Sequence, residues 1–356
     1  KTNSCVRKVQ PEREKSPTVL QCGVRKVQVD AGSHGSSPLV MAEIHQMLLQ
    51  YGVEETRRIL ASSKNDRSCV DAAHAILTDE KQDIGIAHAG FAMAALPHKK
   101  TASPVWEKDG GPVKLLVESG LDSNKTPIGV PYGSVARLIL LYLQTQAVKN
   151  KSREIELGAS MNAWLAAMNL SVGGKTYQLV REQSRRISRC RLTFFRTEGG
   201  TQFVSNGAFV RDAIFPIDAS KTDQKSLWLD VVRLDESFYQ SLIDHPLPLR
   251  EIAIKQISTR SLAIDLYIWL AYRLHILMKP LHISWAALKS QFGPEYKELR
   301  FFRRDIMPSL NLALSVYPEA IVQIDEKTGI TLHPSPSPVQ PRLYAVTARP
   351  QLGALD

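Results

Sequence analysis

One order of elements is written into this chain twice, and that repetition limits its architecture more than any single motif does. "YGSVARLILLYLQTQAVK" reads as a helix with Ser134 as its expected cap. "REIELG" alternates like a short strand, and "SMNAWLAAMNL" reads as a second helix. A turn at Gly173-Gly174 then leads into a basic helix, and "RLTFFRTEGGTQFVS" reads as a hairpin closing at Gly199-Gly200, followed by the strand "SLWLDVVRL". The same order returns downstream. "TRSLAIDLYIWLAYRLHILM" is a helix, "HISW" a strand, and "SWAALKSQF" a helix stopped by Gly293-Pro294. "EYKELRFFRRDIMPSL" is a second basic helix, and "AIVQIDEKTGITLH" a hairpin turning around Lys327-Thr328-Gly329. Helix, strand, helix, turn, basic helix, hairpin is the order of a winged helix-turn-helix. The expected fold class is therefore α+β, mainly helical, with two tandem winged helix-turn-helix domains and a partly disordered N-terminal extension.

The two basic helices carry the chemistry. From Lys175 to Arg191 the basic residues are Lys175, Arg181, Arg185, Arg186, Arg189 and Arg191, and the one acid is Glu182. On a helix, Tyr177, Val180, Ser184, Ile187 and Cys190 share an apolar stripe, while Gln178, Arg181, Arg185 and Arg189 share another. Arginine can pair bidentately with guanine and glutamine with adenine, and both also bind phosphate. A charged stripe is often no more than a solvated face, but here it is almost all of one sign and follows a short helix and a glycine turn. In the second copy, Leu299, Phe302, Ile306 and Leu310 form the expected apolar stripe. Lys297, Arg300, Arg303 and Arg304 form the exposed one. Pro308 interrupts this helix, because proline lacks the N–H for an i to i−4 bond and clashes with the preceding turn. A kink or break is expected there, which puts contacts beyond Arg304 in question. The expected DNA-binding residues are thus Lys175, Thr176, Gln178, Arg181, Arg185, Arg186, Arg189, Lys297, Arg300, Arg303 and Arg304.

Gly174-Lys175-Thr176 also invites an ATPase reading. A phosphate-binding loop needs G-x-x-x-x-G-K-[ST] after a buried strand. The first glycine would stand at 169, which is Asn169, and the preceding "GASMNAWLAAMNL" is rich in helix formers. Both requirements fail, so the segment opens a basic helix instead.

The remaining sequence sets bounds. At 356 residues the chain has room for two or three domains. The expected division is a disordered basic tail at 1–37, a helical extension at 38–84, winged-helix domains at 85–236 and 237–340, and a tail at 341–356. "VRKVQ" stands at 6–10 and again at 24–28, too few copies for a solenoid. The net charge of +10 points to an acidic partner, nucleic acid before membrane. Cys5, Cys22, Cys69 and Cys190 lie far apart, which suggests neither a zinc site nor a disulfide framework and fits reduced thiols in the cytoplasm. The longest apolar runs, "LILLYL" and "YIWLAY", are too short to span a bilayer, and no signal-peptide pattern is present. His88, His98, His245, His275 and His282 are too scattered for a clustered metal site, and His88 and His98 read as loop and partly buried histidines. No cofactor, metal or catalytic set is expected, and the chain reads as a non-enzyme.

Separated landmarks fall in the order found in a known family: "HAGFAMAALPHKK", "GVPYGSVARLILLYLQTQAV", "REIELGASMNAWLAAMNLSVGGKTYQLVREQSRRISRC", "HPLPL", "SLAIDLYIWLAYRL", "ISWAALKSQFG" and "YPEA". Together, over about residues 85 to 340, they resemble the plasmid-encoded RepA family of replication initiators; residues 1 to 84 lie outside the resemblance. It implies tandem winged helices that bind directly repeated sites (iterons) in an origin, contacts with host DnaA and the replicative helicase, and a homodimer as a further state. The rival readings are a transcriptional regulator without initiator activity and, from a third class, a relaxase or nuclease.

Overall fold

The computed structural model describes residues 41–60, 64–111, 113–158, 160–198, 201–213 and 231–339. The expectations for the tails at 1–37 and 341–356, and for the Gly199-Gly200 turn itself, lie outside these residues. The fold is mixed α/β, with helix predominating.

In chain order the elements are α1 (Met41–Leu60), α2 (Lys64–Leu77), β1 (Ile84–His88), α3 (Gly90–Met93), β2 (Val105–Asp109), β3 (Val113–Glu118), α4 (Gly133–Asn150), β4 (Glu154–Glu156), α5 (Met161–Ala167) and α6 (Gly174–Arg189). Then come β5 (Arg191–Glu198), β6 (Thr201–Ala208), β7 (Val210–Ala213), β8 (Val231–Leu234), α7 (Glu236–Asp244), β9 (Pro246–Arg250), α8 (Glu251–Gln256) and α9 (Ser261–Leu274). The chain continues through β10 (Leu281–Ser284), α10 (Trp285–Phe292), α11 (Leu299–Ser315), β11 (Val322–Asp325) and β12 (Gly329–Leu332).

The repeated order survives as a repeated topology. In the first copy the strands after α4 and after α6 assemble in the order β4-β8-β7; in the second they assemble as β10-β12-β11. Each sheet thus sets the last strand of its copy between the other two. The hairpin read at 191–205 is real, and β5 and β6 pair antiparallel over their whole length. Its place differs from expectation. Rather than closing the sheet that holds β4, it joins β2 and β3 in a separate sheet ordered β2-β3-β5-β6. The reason is a complementary apolar edge. Leu115 and Val117 of β3 are fully buried and stand opposite Phe194 and Leu192 of β5. Val113, Leu115 and Val117 alternate with half-buried residues, the period-two pattern of a one-sided strand.

α4 and α9 form the centre. Both are apolar around nearly the whole circumference, with Val135–Leu141 and Ala263–Ala271 buried without a break, as befits helices with no solvent face. Each carries one ionised group amid that apolar surface, and the two meet. Arg137 Nε donates to Asp265 Oδ1 at 2.6 Å and Nη2 to Oδ2 at 2.7 Å. The other guanidinium hydrogens go to the carbonyls of Gly133 (2.8 Å), Pro97 (3.2 Å) and Leu96 (2.6 Å). All five donors are engaged, so the charge is buried without an orphaned N–H.

Two sequence expectations need correction here. Ser134 does not cap α4: it lies inside the helix, and the Tyr132 N–H before it is taken by Gln183 Oε1 of α6 at 2.9 Å. His88 is not a loop residue. It ends β1, is buried, and stacks on Phe194 and Phe238 at 5.2 and 5.9 Å. Its Nδ1 accepts from Gly90 N–H, so Nε2 carries the proton toward Ser241 Oγ. The boundary expected at 236/237 falls in the first turn of α7, and contacts cross it in space. The antiparallel β1–β9 ladder crosses it, as does the Arg137–Asp265 pair. The helices of the 38–84 extension, α1 (broken at Gly52) and α2, pack against α11, with His45 Nε2 bonded to Ser315 O at 2.9 Å.

Two predictions follow from this core. Asp265→Asn should destabilise the protein by about 3–5 kcal/mol, because it leaves a buried guanidinium unpaired. Urea unfolding measures the loss, and the double replacement Arg137→Met/Asp265→Leu should cost less than the single one. The second concerns acid. Burial, helped by nearby His245, pushes the His88 imidazole down to about 4. The unfolded chain therefore takes up this proton first. The stability held in neutral His88 is complete above about pH 6.5 and is lost as pH falls toward 4, on the order of 3 kcal/mol. Unfolding curves at pH 7.5 and 4.5 should diverge for the parent and less so for His88→Gln.

Candidate nucleic-acid interface

The turn between α5 and α6 is built by local chemistry. Ser160 Oγ caps α5 by accepting from Ala163 N–H at 3.2 Å. Asn169, at φ 55, ends the helix in the left-handed region, and Leu170 N–H returns to Leu165 O at 2.8 Å, a closure that asparagine tolerates better than most residues. Its Nδ2 also reaches Lys255 O of α8 at 3.0 Å. The residue that departs from the phosphate-loop pattern is thus the one that stops α5. What precedes Gly174 is a helix and a turn, so the strand–loop–helix arrangement of a P-loop is not formed here.

α6 has two faces. Val180, Gln183, Arg186 and Ile187 are buried; Lys175, Gln178, Arg181, Arg185 and Arg189 are exposed, and Thr176 is half-exposed at the helix start. Arg181 and Arg185 make no ion pair among the described residues. The nearby acid, Glu182, is occupied: it accepts from Arg186 Nη2 at 2.8 Å and lies 3.8 Å from Lys100 Nζ. The outer face is left with unneutralised positive charge and one amide.

Arg186 departs from the expected DNA-binding set. It is buried, donates to Val130 O at 2.9 Å, and lies 5.1 Å from the centre of the Tyr132 ring. Adjacent residues on a helix point about 100° apart, so Arg185 faces solvent while Arg186 faces the core. Arg186 fastens α6 to the segment entering α4.

α11 differs in charge. Lys297 lies in a bend before the helix, not on it. Arg300 pairs with Glu298 at 2.7 Å and Arg304 with Asp305 at 2.7 Å, and both lie over the Phe301 ring, at 4.7 and 5.4 Å. Arg303 is half-buried, 5.5 Å from the Trp285 ring. Arg304, then Tyr296, holds the Asp305 carboxyl below its ordinary range, with Lys99 contributing. Phe302, Ile306 and Leu310 are buried as read, but Leu299 is exposed. The helix runs through Pro308 without ending. Contacts beyond Arg304 are limited for another reason: from Ser309 onward α11 is largely buried.

The fold also gathers residues that the sequence keeps apart. His88 and His245 come to 6.2 Å between ring centres, and with His275 they line a cavity of about 880 Å³. No group of three His, Cys, Asp or Glu suited to a metal occurs among the described residues, and no helix among them is long and apolar enough to cross a membrane.

The contrast between neighbouring arginines is testable. Arg186→Ala should cost about 2–4 kcal/mol of folding stability, since it strands buried partners. Arg185→Ala should stay within about 0.5 kcal/mol, as for most exposed positions. Chemical denaturation of the two variants reads the difference directly.

Two solved structures resemble part of the chain. One is a crystal structure of selenomethionine derivatives of domains 2 and 3 of RctB, at 12% identity and a TM-score of 0.45, covering 71% of this chain and 99% of that one. The other, of RctB domains 2-3, is 13% identical with a TM-score of 0.40, covering 68% and 94%. No curated protein matches the chain. A family profile described as plasmid encoded RepA protein matches from just before α4 to the start of α10. Residues 130–286, which hold the whole of α5, the turn and α6, match the profile of the plasmid-encoded RepA family, the family that the sequence landmarks resemble.

Proposed function

We propose that the chain is a plasmid replication initiator that binds repeated sites (iterons) in its origin DNA, helps to open the origin and recruits host replication proteins. The observation that carries this reading is the outer face of α6, where Gln178, Arg181, Arg185 and Arg189 stand exposed inside the RepA-family segment and its two central arginines lack acidic partners. Each copy of the element order, with its last strand set between the other two, supports the winged helix-turn-helix assignment. In that arrangement the second helix of the turn, here α6 or α11, enters the major groove with its N-terminal residues at the base edges. The β7–β8 pair and the β11–β12 hairpin then take the place of wings. Lysine and arginine contacts to phosphate supply most of the affinity, and a few side chains read bases.

Opening comes from bending and crowding duplex DNA at several sites and needs no nucleotide hydrolysis by this chain, which acts as a non-enzyme without cofactor or metal. DnaA and the replicative helicase are the proposed host partners, a homodimer a further state, and the cytoplasm the setting. Protection mapping on the plasmid's origin tests the reading against its rival. An array of direct repeats beside an AT-rich segment fits an initiator; a single palindrome over a promoter fits a transcriptional regulator.

The charge asymmetry of the two helices gives a sharper expectation. Arg181→Ala should weaken binding to the preferred site by about 1–3 kcal/mol, the worth of a bidentate base contact. Arg300→Ala should cost less, because its guanidinium already has Glu298 and must exchange one partner for another. Titrations at fixed salt against one duplex compare the two, and equal losses would argue against α6 as the main reader.

A further inference from the structure

The turn at Leu121–Pro127 was not singled out by any sequence motif, yet it is held against the C-terminal half of α6. Two backbone approaches fix it there. A Cβ at Gly120 would collide with the Arg189 carbonyl, and one at Gly129 with the Arg186 guanidinium. Gly120 therefore requires glycine for the loop to lie this close, and Gly129, at φ 93, requires it for its left-handed backbone. Two arginines of α6 complete the attachment: Arg189 Nη1 donates to Leu121 O at 3.3 Å, and Arg186 Nη1 to Val130 O at 2.9 Å.

The turn is also closed internally. Leu121 and Pro127 form a bridge. Asp122 N–H donates to Thr126 O at 2.9 Å, and Lys125 N–H to Asp122 O at 3.1 Å. The Asp122 carboxylate accepts the N–H groups of Asn124 and Thr126, each at 2.9 Å, so the acid of the turn is spent on its own backbone. What points outward is Ser123, Asn124, Lys125 and Thr126, all exposed. Lys125 sits at φ 62, a left-handed conformation in which a non-glycine side chain costs on the order of 1 kcal/mol. It makes no ion pair among the described residues.

We propose that this turn is a second DNA-contacting element, in which Lys125, flanked by the hydroxyl and amide groups of Ser123, Asn124 and Thr126, neutralises a backbone phosphate next to the groove that α6 occupies. The inference rests on the proposed function, since it takes duplex DNA as the partner of α6. The placement selects phosphate rather than base. The N-terminal residues of a groove-inserted helix meet base edges, whereas its far end approaches the strand that borders the groove. Arg189 joins the two surfaces, being the last residue of the α6 stripe and a ligand of the turn. The turn thus prolongs one basic surface with a short, closed loop instead of a long flexible arm.

Lys125→Gly is the informative variant. Glycine suits the left-handed backbone, so the side chain is removed without strain on the fold. Binding is measured by titration at several salt concentrations on two probes: a duplex selected by the full chain from a random pool, and an unselected duplex. The slope of log affinity against log salt should become shallower by about 0.9, the value for one phosphate. Affinity at low salt should fall about three- to tenfold on both probes alike, because phosphate contacts carry no sequence information. Arg181→Ala, measured in parallel, should lose discrimination between the probes. If Arg181→Ala weakens binding and Lys125→Gly leaves affinity and slope unchanged, the turn is not a contact and this proposal falls while the role of α6 stands. If neither variant alters binding, both fall. A Lys125→Gly loss confined to the selected duplex would overturn the phosphate assignment.

Discussion

A buried ion pair fixes how the two copies of the fold meet. Arg137 and Asp265 sit at the heart of α4 and α9, each 5% exposed and enclosed by apolar side chains. Desolvating two charges costs several kcal/mol per ion, and their attraction offsets this only where geometry is close and every remaining donor finds an acceptor. Here the pairing is bidentate, and three main-chain carbonyls from the 96–97 segment and the start of α4 take the other guanidinium hydrogens. A mismatch in the relative position of the helices would leave a charge uncompensated, which a purely apolar contact would forgive. The pair therefore fixes register, and the β1–β9 ladder reinforces it from the opposite side of the sequence boundary.

The same chemical group serves two purposes in α6, and neighbours decide which. The guanidinium of Arg185 meets solvent. That of Arg186 meets a carbonyl, a carboxylate and an aromatic ring, in space left by Gly129. Composition and helical period cannot separate them fully, because a stripe drawn at three- and four-residue steps is about as wide as the angle between adjacent residues. Glu182 was the available signal. An acid one turn before Arg186 at i, i+4 on a helix is a standing invitation to pair, and it marks Arg186 rather than Arg185.

Much of the architecture was legible because it was periodic. α4, α5, α6, α9, α10 and α11, the hairpins and the doubled order follow from apolar spacing and from glycine or proline stops, whereas the short helices α7 and α8 were not read. What escaped was non-local. β2 and β3 have an alternating pattern, but nothing near them in sequence says that β5 will be their partner; the ladder spans some 75 residues and is decided by a shared apolar face. The partner of the Tyr132 N–H at the start of α4 escaped for the same reason, since Gln183 of α6 accepts it from 51 residues away. The Arg137–Asp265 pair did leave a trace. Each is the one charge in the long apolar stretch of its helix, with the next charged residue (Lys149, Arg273) held back to the last turn, and two such charges of opposite sign in one chain suggest each other. At the candidate site, the exposed residues of α6 were readable from period and sign. The partners of Arg300 and Arg304 were adjacent in sequence as well, at Glu298 and Asp305, but a reading that counts only positive charge overlooks them.

The shared core changes how two basic helices could work together. Domains on a flexible linker gain from each other through effective concentration, which depends on linker length and is diminished by the freedom left in the linker. In this chain α4 packs on α9, α2 on α8 and α11, and the spacing between α6 and α11 is set by packed helices instead of a tether. A rigid spacing removes the ordering cost at binding. It also removes tolerance, because a DNA site whose repeats are wrongly phased cannot be met by both helices at once. Under the proposed function, discrimination between origins would come partly from the distance between contacts and not only from the bases touched. The unequal charge of the helices suits that division. On the proposed reading, the unneutralised face of α6 would bind on its own, while α11, with its arginines already held by Glu298, Asp305 and the Phe301 ring, would bind only where the spacing brings a phosphate close enough to displace an existing partner.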